Sequence, residues 1–344
     1  MDEQRRVPAR RVGWRMVPGV AVALVIILLV AMRRAEVPRI VDALRAARPI
    51  ALGAGAGLSI LWLCAYASMH AASQRLGGVR PSATRSLRLG VSSMMWNHIT
   101  KSGGVAGAAP FVREGRQSGT PPGMVLAGYM FAMVVGEIAF ALTLAIAFVV
   151  MAKHGSLTAL EVGAAGVFAL YVMARVALFA VALRSRERLR SAMSIPQRVV
   201  ARWRKDRDRE IDHSGADQLY AAARLVWERP TATVPIVVSA VFLETLGVAL
   251  VWISMLALGA PGGVPVALLG YSLSVLFGIV GFLPGGFGFV EASLLSVLLA
   301  AGSTVPQAGA VVVVYRLFEW WLPVLAGACA SVGLRRGTCN VVTA

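Results

Sequence analysis

The chain has 344 residues, of which 57% are hydrophobic and 15% charged, with a mean hydropathy of +0.70. That is far too apolar for a soluble domain of this length and places the chain among integral membrane proteins. The formal charge of +17 would suit a nucleic-acid binder. The arginines, however, lie in short segments beside apolar runs, the pattern of positive-inside anchoring and of contact with anionic lipid headgroups, so no nucleic acid is expected as a partner.

Crossing about 30 Å of hydrocarbon takes roughly 20 apolar residues. The first such run, 16–32, follows a charged start and has no small-residue cleavage site before Arg33-Arg34, so it reads as a retained helix rather than a signal peptide. Arg5, Arg6, Arg10, Arg11 and Arg15 hold the N-terminus in the cytoplasm. Arg33, Arg34, Arg39, Arg45 and Arg48 then fall where this topology requires the outside. They alternate with Val37, Ile40, Val41 and Leu44 at helical spacing, which predicts an interfacial amphipathic helix on the outer leaflet, unless the first run does not fully cross.

A span at 50–72 ends at Arg75, Arg80, Arg85 and Arg88, again cytoplasmic. The interrupted apolar stretch 86–111 is followed by Arg113 and Arg116, so it must leave and return on the same side. It is expected to be a re-entrant hairpin turning at Lys101-Ser102-Gly103-Gly104. Spans follow at 124–151 and 159–183, then a hydrophilic segment between Arg184 and Pro230, densely basic from Arg184 to Arg209 and expected as a solvated cytoplasmic helix pair linking two halves. A span at 232–258, an uncharged outer loop at 259–264, a second interrupted stretch at 265–302 turning at Pro284-Gly285-Gly286, and a span at 306–333 complete the chain. Arg335 and Arg336 return the C-terminus to the cytoplasm.

The predicted fold is one integral membrane domain over 1–344, all-α and polytopic, with about six full spans plus two re-entrant helical hairpins in an inverted repeat (50–151 and 232–333). Gly104 precedes Glu137 by the interval that separates Gly286 from Glu319. Each hairpin could instead be two short full spans, which would leave the flanking topology unchanged. Broken helices at membrane depth are tolerated only where protein encloses them or a polar cavity meets them, as in transporters.

The stretch Phe282-Leu283-Pro284-Gly285-Gly286-Phe287-Gly288-Phe289-Val290-Glu291-Ala292, followed by Gly302, Tyr315-Arg316, Pro323 and Gly327, resembles the lysylphosphatidylglycerol synthase transmembrane region family. Asn97 through Gly104, with Arg113 and Glu137, is similar to the family's first-half pattern, and the likeness covers nearly the whole chain. The resemblance implies a lipid-flippase-type membrane region. No lysyl-transfer activity is expected, since no soluble aminoacyl-transfer domain is expected after the membrane region. Ser102 stands where a family member often has Pro, and Ile138 where an Arg is common.

The candidate substrate-binding residues are Asn97, Lys101, Gly103, Gly104, Glu137, Pro284, Gly285, Gly286, Gly288, Glu291, Arg316 and Glu319. Glycines at the breaks would leave backbone N–H groups facing a ligand, and exposed half-helix N-termini favour an anion such as a lipid phosphate. Arg316 would bind that phosphate bidentately, while Glu291 and Glu319 would accept a cationic headgroup or a proton. The plainer alternative is that Glu291 and Arg316 neutralise each other across the bundle, with the glycines serving helix packing. Arg175 has the placement of a snorkelling residue, Trp320 and Trp321 of core or interface aromatics.

Neither three cysteines without CxxC spacing nor four scattered histidines point to a metal, and no cofactor is expected. The leading expectation is a non-enzymatic carrier that moves a phospholipid or lipid-linked headgroup across a bacterial inner membrane. The Arg-over-Lys bias suggests a GC-rich bacterial genome, and a homo-oligomer is left open. A membrane-embedded transferase with Glu291 as general base and an accessory scaffold are the alternatives.

Overall fold

The computed structural model describes residues 36–76, 78–100, 102–153, 158–191, 230–281 and 283–336, with isolated positions of the segment between 191 and 230. The predicted first span at 16–32, Lys101, Phe282 and most of the basic stretch after Arg184 lie outside the described residues. Among the described residues there are only helices and turns.

The elements are α1 (Glu36–Arg45), α2 (Pro49–Leu76), α3 (Ala83–Ile99), a 3₁₀ turn (Val105–Ala108), α4 (Ala109–Gln117), α5 (Pro122–Lys153), α6 (Ala159–Arg184), α7 (Pro230–Leu258) and α8 (Gly263–Val280). A second 3₁₀ turn (Pro284–Gly286), α9 (Phe289–Ala300), α10 (Val305–Arg316), a π-helical turn (Leu317–Trp321) and α11 (Leu322–Arg336) follow.

Six described helices are long and apolar enough to cross a membrane: α2, α5, α6, α7, α8 and the continuous run α10–α11. Five coincide with predicted spans. The sixth, α8, is the first arm of the second interrupted stretch, and its 18 residues suffice by length and composition. The first interrupted stretch is less apolar, with α3 of 17 residues and α4 of 9.

Small residues set the closest helix approaches, as expected where lipid offers no hydrophobic drive between helices. A Cβ on Gly90 would lie 2.6 Å from the Ala67 backbone, and one on Gly327 would lie 2.4 Å from Met95 Cβ. Thus α3 sits against both α2 and α11. The packing is reciprocal between halves: α3 lies on α11, while α8 lies on α5, and α2 and α7 run together over a long contact.

The predicted amphipathic helix is α1. Its Leu44 packs on the core, and Ile40 lies against Gly309 of α10. The Arg48 N–H then donates to Ala257 O (2.8 Å), which fixes the start of α2 beside the end of α7.

A π-helical turn interrupts the last span at Leu317–Trp321, where the sequence reads as one continuous helix. Pro323 supplies a cause: it has no N–H for the Glu319 carbonyl four residues back, and its ring crowds that turn. The widened turn is held from α2, where the fully buried Ser59 Oγ donates to Phe318 O (2.6 Å) and Gly55 makes room for the Phe318 ring.

Candidate substrate cavity

Three carboxylates mark the middle of their spans. Glu244 is the central residue of α7, and Glu137 and Glu319 each belong to the central pair of α5 and of Val305–Leu334. All three line connected voids. A cavity of about 510 Å³ is bordered by Asn97 and His98 of α3, the Gly103-Gly104 break, Glu137, Tyr171 of α6, the Gly285-Gly286 break, Tyr315 and Glu319. A second void of about 280 Å³ shares His98, Glu137, Tyr315 and Glu319 with the first and extends to Tyr66, Glu244 and Tyr271.

At the second break, Pro284 opens the 3₁₀ turn and Gly285 takes φ +64°. A side chain at Gly285 would strike Trp320, since its Cβ would lie 2.5 Å from Nε1. The Gly285 carbonyl accepts from Arg316 Nη2 (2.9 Å), and the guanidinium stacks 4.7 Å over the Phe287 ring. Arg316 Nε donates to Glu291 Oε1 (2.7 Å) and Nη1 to Glu319 Oε2 (3.0 Å). Its side chain is 6% exposed.

This geometry bears on two expectations. Arg316 does not border the cavity and is engaged on three sides, so it locks the break to the π turn rather than offering a bidentate face to phosphate. The Gly288 and Gly286 N–H groups are also engaged, the first with Glu291 Oε2 (2.7 Å) and the second with Leu283 O (3.1 Å). Glu291 therefore already places negative charge at the N-terminus of α9, where an anionic ligand was expected. Neither it, Gly288 nor Pro284 lines the cavity. The pairing alternative for Glu291 and Arg316 describes what is seen.

Glu319 is different. Its Oε1 lies 3.5 Å from His98 Nε2, so it joins the two halves while facing the cavity. In the first half, Glu137 Oε1 accepts from Arg175 Nη1 and the Tyr171 hydroxyl (3.2 Å), and Oε2 is buried without a hydrogen-bond partner among the described residues. Arg175 was read as snorkelling. It instead supplies, from α6, the cation missing at Ile138. Pairing across helices leaves no sequence-local signal.

Asn97 fastens the first break: Nδ2 donates to the hydroxyls of Tyr129 (2.8 Å) and Tyr66 (3.2 Å), and Oδ1 accepts from Gly107 N–H (3.0 Å). Gly107 was not singled out in the sequence, yet a Cβ there would lie 2.4 Å from both Asn97 Oδ1 and the Tyr129 hydroxyl. Gly104, at φ +88°, lies against Met133 of α5. Of the predicted residues, Asn97, Gly103, Gly104, Glu137, Gly285, Gly286 and Glu319 meet at one cavity.

Among the described residues, Glu137 and Glu319 line this cavity and Glu244 the adjoining void, with Arg175 paired to Glu137 and Arg316 to Glu319 behind the wall. The carboxylates on the cavity wall suit a ligand that brings positive charge.

A comparison with curated proteins gave no match. The family model described as lysylphosphatidylglycerol synthase TM region matches residues 16–327. The chain is therefore a multi-pass membrane protein that belongs to the lysylphosphatidylglycerol synthase transmembrane region family, a family tied by its name to lipid handling.

Proposed function

We propose that the protein is a carrier, not an enzyme, that moves a polar or charged phospholipid headgroup across a bacterial inner membrane while the acyl tails stay in lipid. One observation carries this reading: the glycine breaks of both halves, Gly103-Gly104 and Gly285-Gly286, open into one cavity with a mid-span carboxylate from each half, Glu137 and Glu319. Central sites bounded by broken helices are how secondary transporters bind at the membrane midplane.

The two interrupted stretches act as oppositely inserted hairpins of an inverted repeat, with both chain termini cytoplasmic. The reciprocal packing of α3 on α11 and α8 on α5 supports that pairing. The lining carboxylates Glu137 and Glu319 favour headgroups bearing an amine, zwitterionic or aminoacylated, over purely anionic ones.

The test is headgroup translocation in proteoliposomes, using tail-labelled lipids with anionic, zwitterionic and aminoacylated headgroups. Wild type accelerates exchange above protein-free vesicles, most for amine-bearing headgroups, and Glu319→Gln and Glu137→Gln slow it. Wild type matching empty vesicles for every lipid overturns the reading.

A further inference from the structure

Glu244 differs from the other acids of the two halves. Glu137 has Arg175, while Glu291 and Glu319 share Arg316. Among the described residues, Glu244 has no cation within ion-pair distance. Among the described residues, its hydrogen bond comes from the Tyr271 hydroxyl to Oε2 (3.1 Å).

This contact is built in. Gly247, one turn along α7, leaves the space that the Tyr271 ring fills, since a Cβ there would lie 2.3 Å from the ring. The residue faces a void continuous with the central cavity. The titratable and charged groups that face it are Tyr66 from α2, His98 from α3, Glu137 from α5, Tyr271 from α8, Tyr315 from α10 and Glu319 from the π turn. Arg316 and Arg175 lie behind Glu319 and Glu137.

An acid at membrane depth whose hydrogen bond comes from a phenol and which has no paired cation among the described residues is costly to keep as a bare ion, and such residues mark proton and ion pathways. We infer that Glu244 is a proton-carrying site that couples lipid movement to the transmembrane proton gradient. This inference rests on the carrier reading. In each cycle an O–H bond forms at Oε1 with a proton taken from water on one side, and it breaks to return the proton to water on the other. No electrons are exchanged. The Tyr271 hydroxyl keeps Oε2 occupied throughout, and the shared wall of Glu319, His98 and Glu137 links proton occupancy to headgroup occupancy.

The experiment uses the full chain in vesicles carrying trace tail-labelled phosphatidylethanolamine, with the membrane potential clamped at zero by potassium and valinomycin. The quantity read is the leaflet asymmetry of the label with a pH gradient divided by that without it, taken within each variant. For one proton per lipid, wild type reaches about a tenfold ratio per pH unit, and Glu244→Gln gives no gradient response.

Gln keeps the acceptor for Tyr271. A trapped pH dye, reporting proton flux on lipid addition to wild type, tests the coupling without any variant. Wild type that exchanges lipid but shows a ratio of one, or a Glu244→Gln variant that still responds, overturns the inference and leaves the carrier reading standing. Wild type with no exchange at all overturns both.

Discussion

Replacing Gly285 by Ala separates two costs that both bear on the second break. Gly285 and Gly103 adopt nearly the same positive φ, +64° and +61°. A Cβ at Gly103 would meet nothing within 4 Å, whereas one at Gly285 would lie 2.5 Å from Trp320 Nε1 and 3.2 Å from the Phe287 ring. Gly103→Ala therefore carries only the left-handed backbone penalty, about 1–2 kcal/mol. Gly285→Ala carries that plus the displacement of a packed indole, about 1–3 kcal/mol for overpacking, and so destabilises by about 2–5 kcal/mol.

The Trp320 ring is also stacked edge-on with Phe287 (4.8 Å), over which Arg316 lies, so moving it disturbs the whole lock. The assay is reversible denaturant unfolding in mixed micelles, comparing the two variants with wild type. Equal destabilisation within about 0.5 kcal/mol, the ordinary spread of surface substitutions, would refute the placement of Trp320 against the turn.

Arg316→Met leaves Glu291, Glu319 and the Gly285 carbonyl without their shared donor. Breaking one partner of a buried pair costs about 3–5 kcal/mol, so the thermal midpoint falls sharply; a midpoint near wild type contradicts the lock. Arg175→Met and Glu137→Gln are coupled in a double-mutant cycle by about 0.5–3 kcal/mol, and strict additivity would deny the pairing across α5 and α6.

On the solvated side, Arg190 and Arg186 hold the Asp217 carboxyl well below the usual carboxylate range. A lowered value in the folded state means the stabilisation is present above the ordinary aspartate value, about 3.9, and fades as pH falls through the lowered one. Amide exchange near 186–190 should therefore quicken in Asp217→Asn at neutral pH, and the difference from wild type should narrow below pH of about 3.9. Single cysteines at Gly262 and Ser118, in a background lacking the native thiols, should react with impermeant reagents only from outside and only from inside, respectively. Labelling from the same side would break the proposed topology.

Much of the helix layout was legible because a 20-residue apolar run has few alternatives, and five such runs are found where hydropathy puts them. Charge placement is blind to the distinction that matters at 265–302, where α8 is long enough to cross by itself. The glycine breaks and mid-span acids were visible as costly residues in apolar surroundings. Their partners were not: Arg175 reaches Glu137 from another helix, and His98 reaches Glu319 from the other half. Nor does the sequence show the three-sided contacts of Arg316 with Glu291, Glu319 and the Gly285 carbonyl. The π turn could have been suspected from Pro323 within the last apolar run, but its anchor, Ser59, lies 259 residues away in sequence.

The central claim is that the cavity between the two breaks is the route of the headgroup. Ser274 tests it most directly: it is 1% exposed, its hydroxyl has no hydrogen-bond partner among the described residues, and it lines that cavity. In a background without the native cysteines, Ser274→Cys should translocate labelled lipid and lose that activity on reaction with a small methanethiosulfonate, with excess substrate lipid slowing the reaction. Full modification that leaves translocation at its unmodified rate would place the route elsewhere and contradict the account.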